Sequence, residues 1–260
     1  MAVNLHKLGM INHDNFYVGT SGLVLPVANK QNFPVEYRSG TRLSYYASLF
    51  NSIEVNSSFY KIPRPATFAK WASEVPEEFR FTVKLWRGIT HEPGLLFVPI
   101  DVNKFLYAAG ELGRKKGCLL VQLPPGVHAD KAVQLERLLE RIVIGDTGGG
   151  WRIAVEFRHR SWYRPETAEL LERYKAGMVL HDMPAAKRET PAGKTLFIYV
   201  RYHGVEGDYK GGYKEEVLLR DARRMRTWLS ERREVYVYFN NTIGDALSNA
   251  QALRGMVGLP

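Results

Sequence analysis

The sequence predicts an α/β fold of the (β/α)8, TIM-barrel type, and three observations carry that prediction. Eight short apolar runs recur along the chain, each closing on a polar and often ionisable residue. Runs this apolar suit strands buried on both faces, as a parallel sheet requires. Most are separated by stretches of helical period, the rhythm of βαβ units. The length, 260 residues, is the usual size for eight such units in one domain.

Residues 1–15 read as a polar N-terminal extension without the apolar core of a signal peptide, and residues 16–260 as a single barrel domain. The first strand is Phe16-Tyr17-Val18-Gly19-Thr20, followed by a long loop from Ser21 to Arg38 punctuated by Gly22, Pro26 and Pro34. Leu43, Ala47 and Phe50 then recur at helical spacing behind Ser39 as a cap. Ser52-Ile53-Glu54-Val55-Asn56 and Phe81-Thr82-Val83-Lys84 are the second and third strands. Asp101 caps a helix that turns Val102, Phe105, Ala109 and Leu112 inward. The fourth strand, Leu119-Leu120-Val121-Gln122, precedes a helical stripe of Ala132, Leu135, Leu139 and Ile142. Gly148-Gly149-Gly150 is the turn into the fifth, Ile153-Ala154-Val155-Glu156. Pro165 suits the first turn of a helix burying Leu170, Leu171 and Tyr174. After the sixth strand, Met178-Val179-Leu180-His181-Asp182, Pro184 and Pro191 break any helical pattern. That crossover is expected to be a loop, which makes the barrel irregular around strand six. Phe197-Ile198-Tyr199-Val200-Arg201 and Val235-Tyr236-Val237-Tyr238-Phe239-Asn240 complete the strands. Their helices carry Leu218, Ala222, Met225 and Leu229, then Ala246, Ala250 and Leu253.

The single cysteine, Cys118, rules out an internal disulfide and favours the reducing cytoplasm; it opens an apolar run and reads as a buried thiol. No stretch has the length of a membrane span, so no membrane partner is expected. The net charge of +9 favours an anionic partner, either nucleic acid or a phosphorylated small molecule. Its distribution weakens the nucleic-acid reading. Arg220, Arg223, Arg224 and Arg226 share a helix with Glu215, Glu216 and Asp221, the mixed charge of a solvated outer face. Arg114-Lys115-Lys116 precede strand four, at the end opposite the strand termini.

With the strand ends placed, the motifs resemble those of the YecE-like family, the domain of unknown function numbered 72. The resemblance rests on Gly19-Thr20-Ser21-Gly22 and on the stretch from Phe50 to Tyr60, which reads FNSIEVNSSFY. Phe81-Thr82-Val83-Lys84 with Ile89-Thr90-His91, and Gln122-Leu123-Pro124-Pro125, extend it. Ala154-Val155-Glu156-Phe157-Arg158 with Ser161-Trp162, Arg201-Tyr202-His203-Gly204, and Tyr238-Phe239-Asn240-Asn241-Thr242 complete the set, in order from about Tyr17 to Leu253. The resemblance implies a barrel related to the triosephosphate-isomerase fold, loosely akin to sugar-isomerase barrels, and brings no established activity. Leu23 departs from the tryptophan usual in the family after this Gly-Thr/Ser-Gly turn.

In such a barrel the carboxyl ends of all strands face one mouth, so their terminal residues converge. Glu54, Glu156 and Asp182 there suit general acid/base work or coordination of Mg²⁺ or Mn²⁺. The competing reading pairs each with a cation, Glu54 with Lys84 and Glu156 with Arg158 or Arg201. Lys84, Arg158 and Arg201 end or follow their strands, and an arginine fork binds carboxylate or phosphate bidentately. Asn240 and Asn241 open Asn240-Asn241-Thr242, a natural helix start capped by Asn241 or Thr242, whose N-terminus suits a phosphate. His203, beside carboxylates, is the leading catalytic candidate, expected to titrate near neutrality; a satisfied structural histidine is its rival. Thr20, Ser21, Asn56, Tyr60, Gln122, Tyr209 and Tyr213 are candidate ligand contacts, His91 a surface or lid residue, and Trp162 core. No nucleophile is apparent: Cys118 starts its strand, and no Gly-x-Ser-x-Gly elbow occurs.

The leading expectation is a cytoplasmic enzyme, isomerase or hydrolase, acting on a small anionic, phosphorylated or sugar-acid-like substrate. Arg158, Arg201, Asn240 and Asn241 would clamp the anion, Glu54, Glu156, Asp182 and His203 would move protons, and Lys84 would stabilise negative charge. Arg201→Ala should then abolish binding and leave the fold intact. A nucleic-acid-processing or nucleic-acid-binding barrel and a non-catalytic ligand sensor are the alternatives.

Overall fold

The computed structural model describes residues 15–258. Its elements run β1 (Phe16–Thr20), α1 (Arg42–Leu49), β2 (Ser52–Val55), α2 (Ser57–Tyr60), α3 (Pro65–Ser73), β3 (Arg80–Lys84), α4 (Arg87–Thr90), α5 (Pro99–Gly110), β4 (Lys116–Gln122) and α6 (Ala132–Gly145). Then come β5 (Arg152–Glu156), α7 (Pro165–Arg173), β6 (Gly177–Met178), β7 (Leu180–His181), β8 (Phe197–Tyr202), β9 (Lys210–Gly211), α8 (Glu215–Ser230), β10 (Glu234–Phe239), β11 (Ile243–Gly244) and α9 (Ala246–Val257). Apart from Asn15, the N-terminal extension lies outside the described residues.

The eight apolar runs are all strands, and every long ladder is parallel. In place of one continuous ladder they form two sheets, ordered β1-β10-β8-β7 and β2-β3-β4-β5-β6. The sixth run joins them: its first half pairs with β5 and its second half with β8, the change of partner falling at Val179. At the other seam β1 meets β2 through side chains. Asn51 bonds Val18 N through Oδ1 and Phe16 O through Nδ2, and the Tyr46 hydroxyl accepts from Thr20 N and donates to Ser52 O. A backbone bond from Gly22 N to Glu54 O, 2.8 Å, ends that seam. Gly19 is obligatory there: a Cβ at this position would stand 2.0 Å from Ser52 O.

Strand alternation sorts the core into two layers. Ile198, Val200, Tyr202, Val235, Val237 and Phe239 belong to the large cluster that packs strands against helices. The opposite faces gather Tyr17, Cys118, Leu120, Ala154, Val179, Phe197, Tyr199, Tyr236 and Tyr238 into a second cluster. The expected buried thiol of Cys118 is part of it. At the carboxyl ends the same faces turn polar, with Gln122 opposite Glu156 and His181 opposite Arg201 in register.

Several local expectations need correction. Helix α1 is capped by Thr41, which exchanges bonds with Ser44, rather than by Ser39. Helix α5 starts at Pro99, so Asp101 sits in its first turn instead of capping it. Helix α3 was not marked by an apolar stripe because Phe68 is its sole fully buried residue. Helix α9 starts at Ala246, after a two-residue ribbon between β9 and β11, so neither Asn241 nor Thr242 caps it. The Pro184–Pro191 crossover holds one short 3-10 turn, Pro184–Ala186, as its prolines foretold.

Candidate functional site

A polar cavity of about 190 Å³ opens at the carboxyl ends of the strands, lined by Asn56, Phe59, Tyr60, Lys84, Gln122, Arg158, Arg201, Tyr209 and Asn240. Eight of these nine are residues singled out by their position after an apolar run or in the adjoining loops. Larger cavities lie elsewhere; the one beside Val200, Tyr202 and Trp228 opens where the sixth crossover lacks a helix, and takes in His181, Asp182, Arg201 and Tyr213 from the strand ends.

Beneath the cavity Arg201, almost wholly buried, is gripped by two fully buried carboxylates. Its Nη2 donates to Glu54 Oε1 at 2.7 Å and its Nη1 to Glu156 Oε2 at 2.6 Å. The Tyr199 hydroxyl donates to the other oxygen of Glu54, and Arg158 Nε to the other oxygen of Glu156. Burial pushes the Glu54 carboxyl up, but Arg201 and the Tyr199 hydrogen bond outweigh it and hold the group below its usual range. Burial opposes the charge on Glu156 likewise, and Arg158 and Arg201 hold it well below that range. Both carboxylates are thus ionised at neutral pH. A general acid or base works best with a pKa near the operating pH, so their expected proton-transfer role does not fit their surroundings. The pairing of Glu54 with Lys84 is corrected too, since Arg201 takes that place.

The network continues sideways. Arg158 Nη2 lies 3.1 Å from His203 Nε2, and His203 Nδ1 lies 3.2 Å from Asp182 Oδ1. An arginine can only donate, so Nε2 accepts and the ring proton sits on Nδ1 toward Asp182. Burial is the main force on this imidazole; Arg201 and Arg158 add to it against the Asp182 hydrogen bond, and the pKa drops to about 4. The expected titration of His203 near neutrality is therefore overturned: the ring stays neutral at that pH. Asp182 also receives the Tyr213 hydroxyl, which itself accepts from Gly204 N at 2.6 Å. Asp182 and Tyr213 line the larger neighbouring cavity rather than this one. The three carboxylates foreseen for Mg²⁺ or Mn²⁺ are consequently not gathered. Among the described residues, no group of three or more His, Cys, Asp or Glu side chains is placed to hold a metal ion.

Lys84 differs from its neighbours. Its Nζ donates to Gln122 Oε1 at 2.8 Å and sits 4.0 Å from the centre of the Phe59 ring, and among the described residues it has no carboxylate partner. Burial and the nearby Arg201 lower its pKa to about 8, with Glu156 and Glu54 pulling the other way. The strand places it: Thr82 and Lys84 share the face opposite Phe81 and Val83, and Ser58 Oγ bonds Lys84 O at 2.7 Å.

The remaining expected contacts divide. Asn56, with a buried Oδ1 lacking a hydrogen-bond partner, lines the cavity with Tyr60, Gln122, Tyr209 and Asn240. Thr20 is turned into the β1–β2 seam, bonding Gly22 O and the Tyr46 hydroxyl, and Ser21 is bridged to Glu54 there; neither lines the cavity. Asn241 is fully buried, donating to Gly211 O and Asn249 Oδ1, so its expected clamp role falls away. His91 caps α4 beside Phe59 with its pKa lowered by burial to about 4, and Trp162 is core, stacked on Phe157. Sequence reasoning missed Phe59 and Tyr199. Phe59 follows the second strand beside Tyr60, which marks it, whereas Tyr199 sits inside an apolar run with nothing to separate it from core.

Residues 17–260 match the family model described as "Protein of unknown function DUF72". The UPF0759 protein YunF of Bacillus subtilis (strain 168) is 28% identical over 257 residues, covering 85% of this chain and 88% of the relative. The UPF0759 protein YecE of Escherichia coli (strain K12) is 28% identical over 134 residues, 51% of this chain and 47% of the relative. A DUF72 family protein from Thermotoga maritima MSB8 superposes with a TM-score of 0.74 at 28% identity, over 93% of this chain and 98% of that one. One from Enterococcus faecalis V583 gives 0.77 at 21% identity, over 94% and 96%, a likeness of fold.

Proposed function

The chain belongs to the DUF72 family, and on that premise we propose that it is an enzyme acting on a small anionic substrate, phosphorylated or sugar-acid-like, bound in the polar cavity at the strand ends. One observation carries the reading: Lys84, a cation without a carboxylate partner among the described residues, shares the cavity with Arg158 and Arg201, whose charges Glu54 and Glu156 offset. The site is left one positive charge in excess, inside a low-dielectric wall that strengthens its pull on an anion. Gln122, Asn240 and Asn56 supply amide groups to orient the rest of a polar molecule, with Tyr60 and Tyr209 at the rim. Arg158 and Lys84 act as the clamp, Arg201 as its anchored base. Proton transfer falls to Lys84, whose pKa of about 8 lies nearer the working range than that of any carboxylate here.

The reading includes a closed barrel. The two sheets meet at Val179 and at the Asn51–Tyr46 seam, and the described residues from 16 onward then form one domain around the inner cluster. It keeps the cytoplasmic placement suggested by the lone buried thiol. Among the described residues no helix is long and apolar enough to cross a membrane.

A thermal-shift panel of inorganic phosphate, sugar phosphates, sugar acids, nucleotides and 5′-phosphorylated single strands tests this. A ligand at a hundred times its dissociation constant adds about 2.7 kcal/mol, or ~5–10 °C for a chain of this size. Stabilisation by small anions supports the reading. Shifts by oligonucleotides alone would move it to nucleic acid, and a flat panel overturns it.

A further inference from the structure

We propose that Lys84 is a nucleophile that forms a Schiff base with a small carbonyl compound whose carboxylate or phosphate is held by Arg158. The proposal rests on the anion-site reading above and deepens it. Lysines at buried sites are ordinarily held as ammonium ions by a carboxylate. Here both nearby carboxylates are committed to arginines: Glu54 to Arg201, and Glu156 to Arg201 and Arg158. Lys84 on β3 feels the charges of Arg201 from β8 and Arg158 from the turn after β5, acts in turn on His91 at the end of α4, and feels Glu54 and Glu156, which are bonded to Arg201. An amine that is desolvated and set beside cations is activated in just this way.

The head group is also aimed. Gln122 Oε1 takes one N–H at 2.8 Å and the Phe59 ring lies 4.0 Å away, which leaves the lone pair of the neutral amine the open cavity. With a pKa of about 8, roughly a tenth of Lys84 is neutral at pH 7. The neutral Nζ forms a bond to the carbonyl carbon as the π pair of the C=O moves onto oxygen. Proton transfer gives a neutral carbinolamine, whose hydroxyl leaves as water when protonated. In sum, Lys84–NH₃⁺ and R₂C=O become Lys84–NH⁺=CR₂ and H₂O. The cation so formed sits where an ammonium already sat, and Gln122 Oε1 remains its acceptor.

The test is reductive trapping. The full chain is incubated with sodium borohydride and either pyruvate or dihydroxyacetone phosphate, then mapped by peptide mass. Hydride reduction of the C=N bond should fix a secondary amine on Lys84, a 1-carboxyethyl group in the pyruvate arm. Lys84 should be labelled at least tenfold above the exposed Lys70 and Lys104, and inorganic phosphate should suppress it. Acetone, a carbonyl without an anion, should label Lys84 no more than those two. The preferred arm tells carboxylate from phosphate. Labelling of Lys84 at or below the level of Lys70 and Lys104 in both arms overturns the proposal. If phosphate still raises the melting temperature in that sample, the anion site survives; if it does not, both fail. A Lys84 adduct indifferent to phosphate overturns the part assigned to Arg158.

Discussion

Arg201 Nη1 meets Glu156 Oε2 at 2.6 Å, and the same guanidinium holds Glu54 at 2.7 Å, so one buried cation bridges two strand ends. The arginine comes from β8, while its partners end β2 and β5. The contact thus ties one sheet to the other directly beneath the cavity, and the electrostatics of the site and the stability of the fold become one question.

Removing Arg201 tests that coupling. Arg201→Ala leaves the buried Glu54 without a cation and Glu156 with Arg158 alone, and breaking a buried pair costs ~3–5 kcal/mol. The expected result is a loss of that order in urea unfolding, contrary to the intact fold foreseen from sequence. The triple variant Arg201→Met, Glu54→Gln, Glu156→Gln should recover part of the loss. A stable Arg201→Ala protein would show that the carboxylates find other partners.

Anion affinity should depend on pH through Lys84. A bound anion favours the ammonium form, so affinity is full below pH 8 and falls as pH rises through about 8. Calorimetric titration of phosphate from pH 6.5 to 9.5 should show the decline. Lys84→Arg should flatten it, because guanidinium stays protonated throughout. A wild-type profile that stays flat rejects Lys84 as part of the clamp.

His203 should shape the acid limb of stability. Its folded pKa of about 4 lies below the ordinary 6.5, so above pH 6.5 neither state is protonated and no penalty exists. As pH falls from 6.5 to 4 the unfolded chain binds the proton and the folded one does not. Stability drops over that window by about 3 kcal/mol, at 1.36 kcal/mol per pKa unit. His91, less buried, acts in the same direction. Melting temperatures across the window should decline in the wild type and less steeply in His203→Gln. Equal slopes would mean the imidazole is not held neutral.

Gly19→Ala should be severely destabilising. The added Cβ would lie 2.0 Å from Ser52 O and 2.6 Å from the Tyr46 hydroxyl, and backbone cannot yield as a flexible side chain does. A loss of about 3 kcal/mol or more is expected in chemical unfolding. Gly126→Ala, where a Cβ would meet nothing within 4 Å, is the control. Equal stabilities would mean that β1 can move away from β2 without cost.

By itself the sequence determined the strands, most of the helices and the level at which the site lies. Apolar period decides which stretches are buried, and a polar residue closing each run, as with Lys84, Gln122, Glu156 and Arg201, marks the end where burial stops. The loop after the sixth strand was legible for an equally local reason, because proline cannot continue a helix. The pairing of Glu156 with Arg158 or Arg201 was legible too, and both hold it; tertiary structure alone decided the partner of Glu54. Glu54 and Arg201 are 147 positions apart, and no local rule prefers Arg201 over Lys84 as the partner of Glu54. The chemistry follows from that choice. Once Arg201 holds both carboxylates, they stay ionised, His203 is kept neutral between Arg158 and Asp182, and Lys84 is left, among the described residues, as a cation without a carboxylate bonded to it. A residue's charge state depends on distances in space and on exclusion of water, and neither quantity is written in the order of residues along the chain.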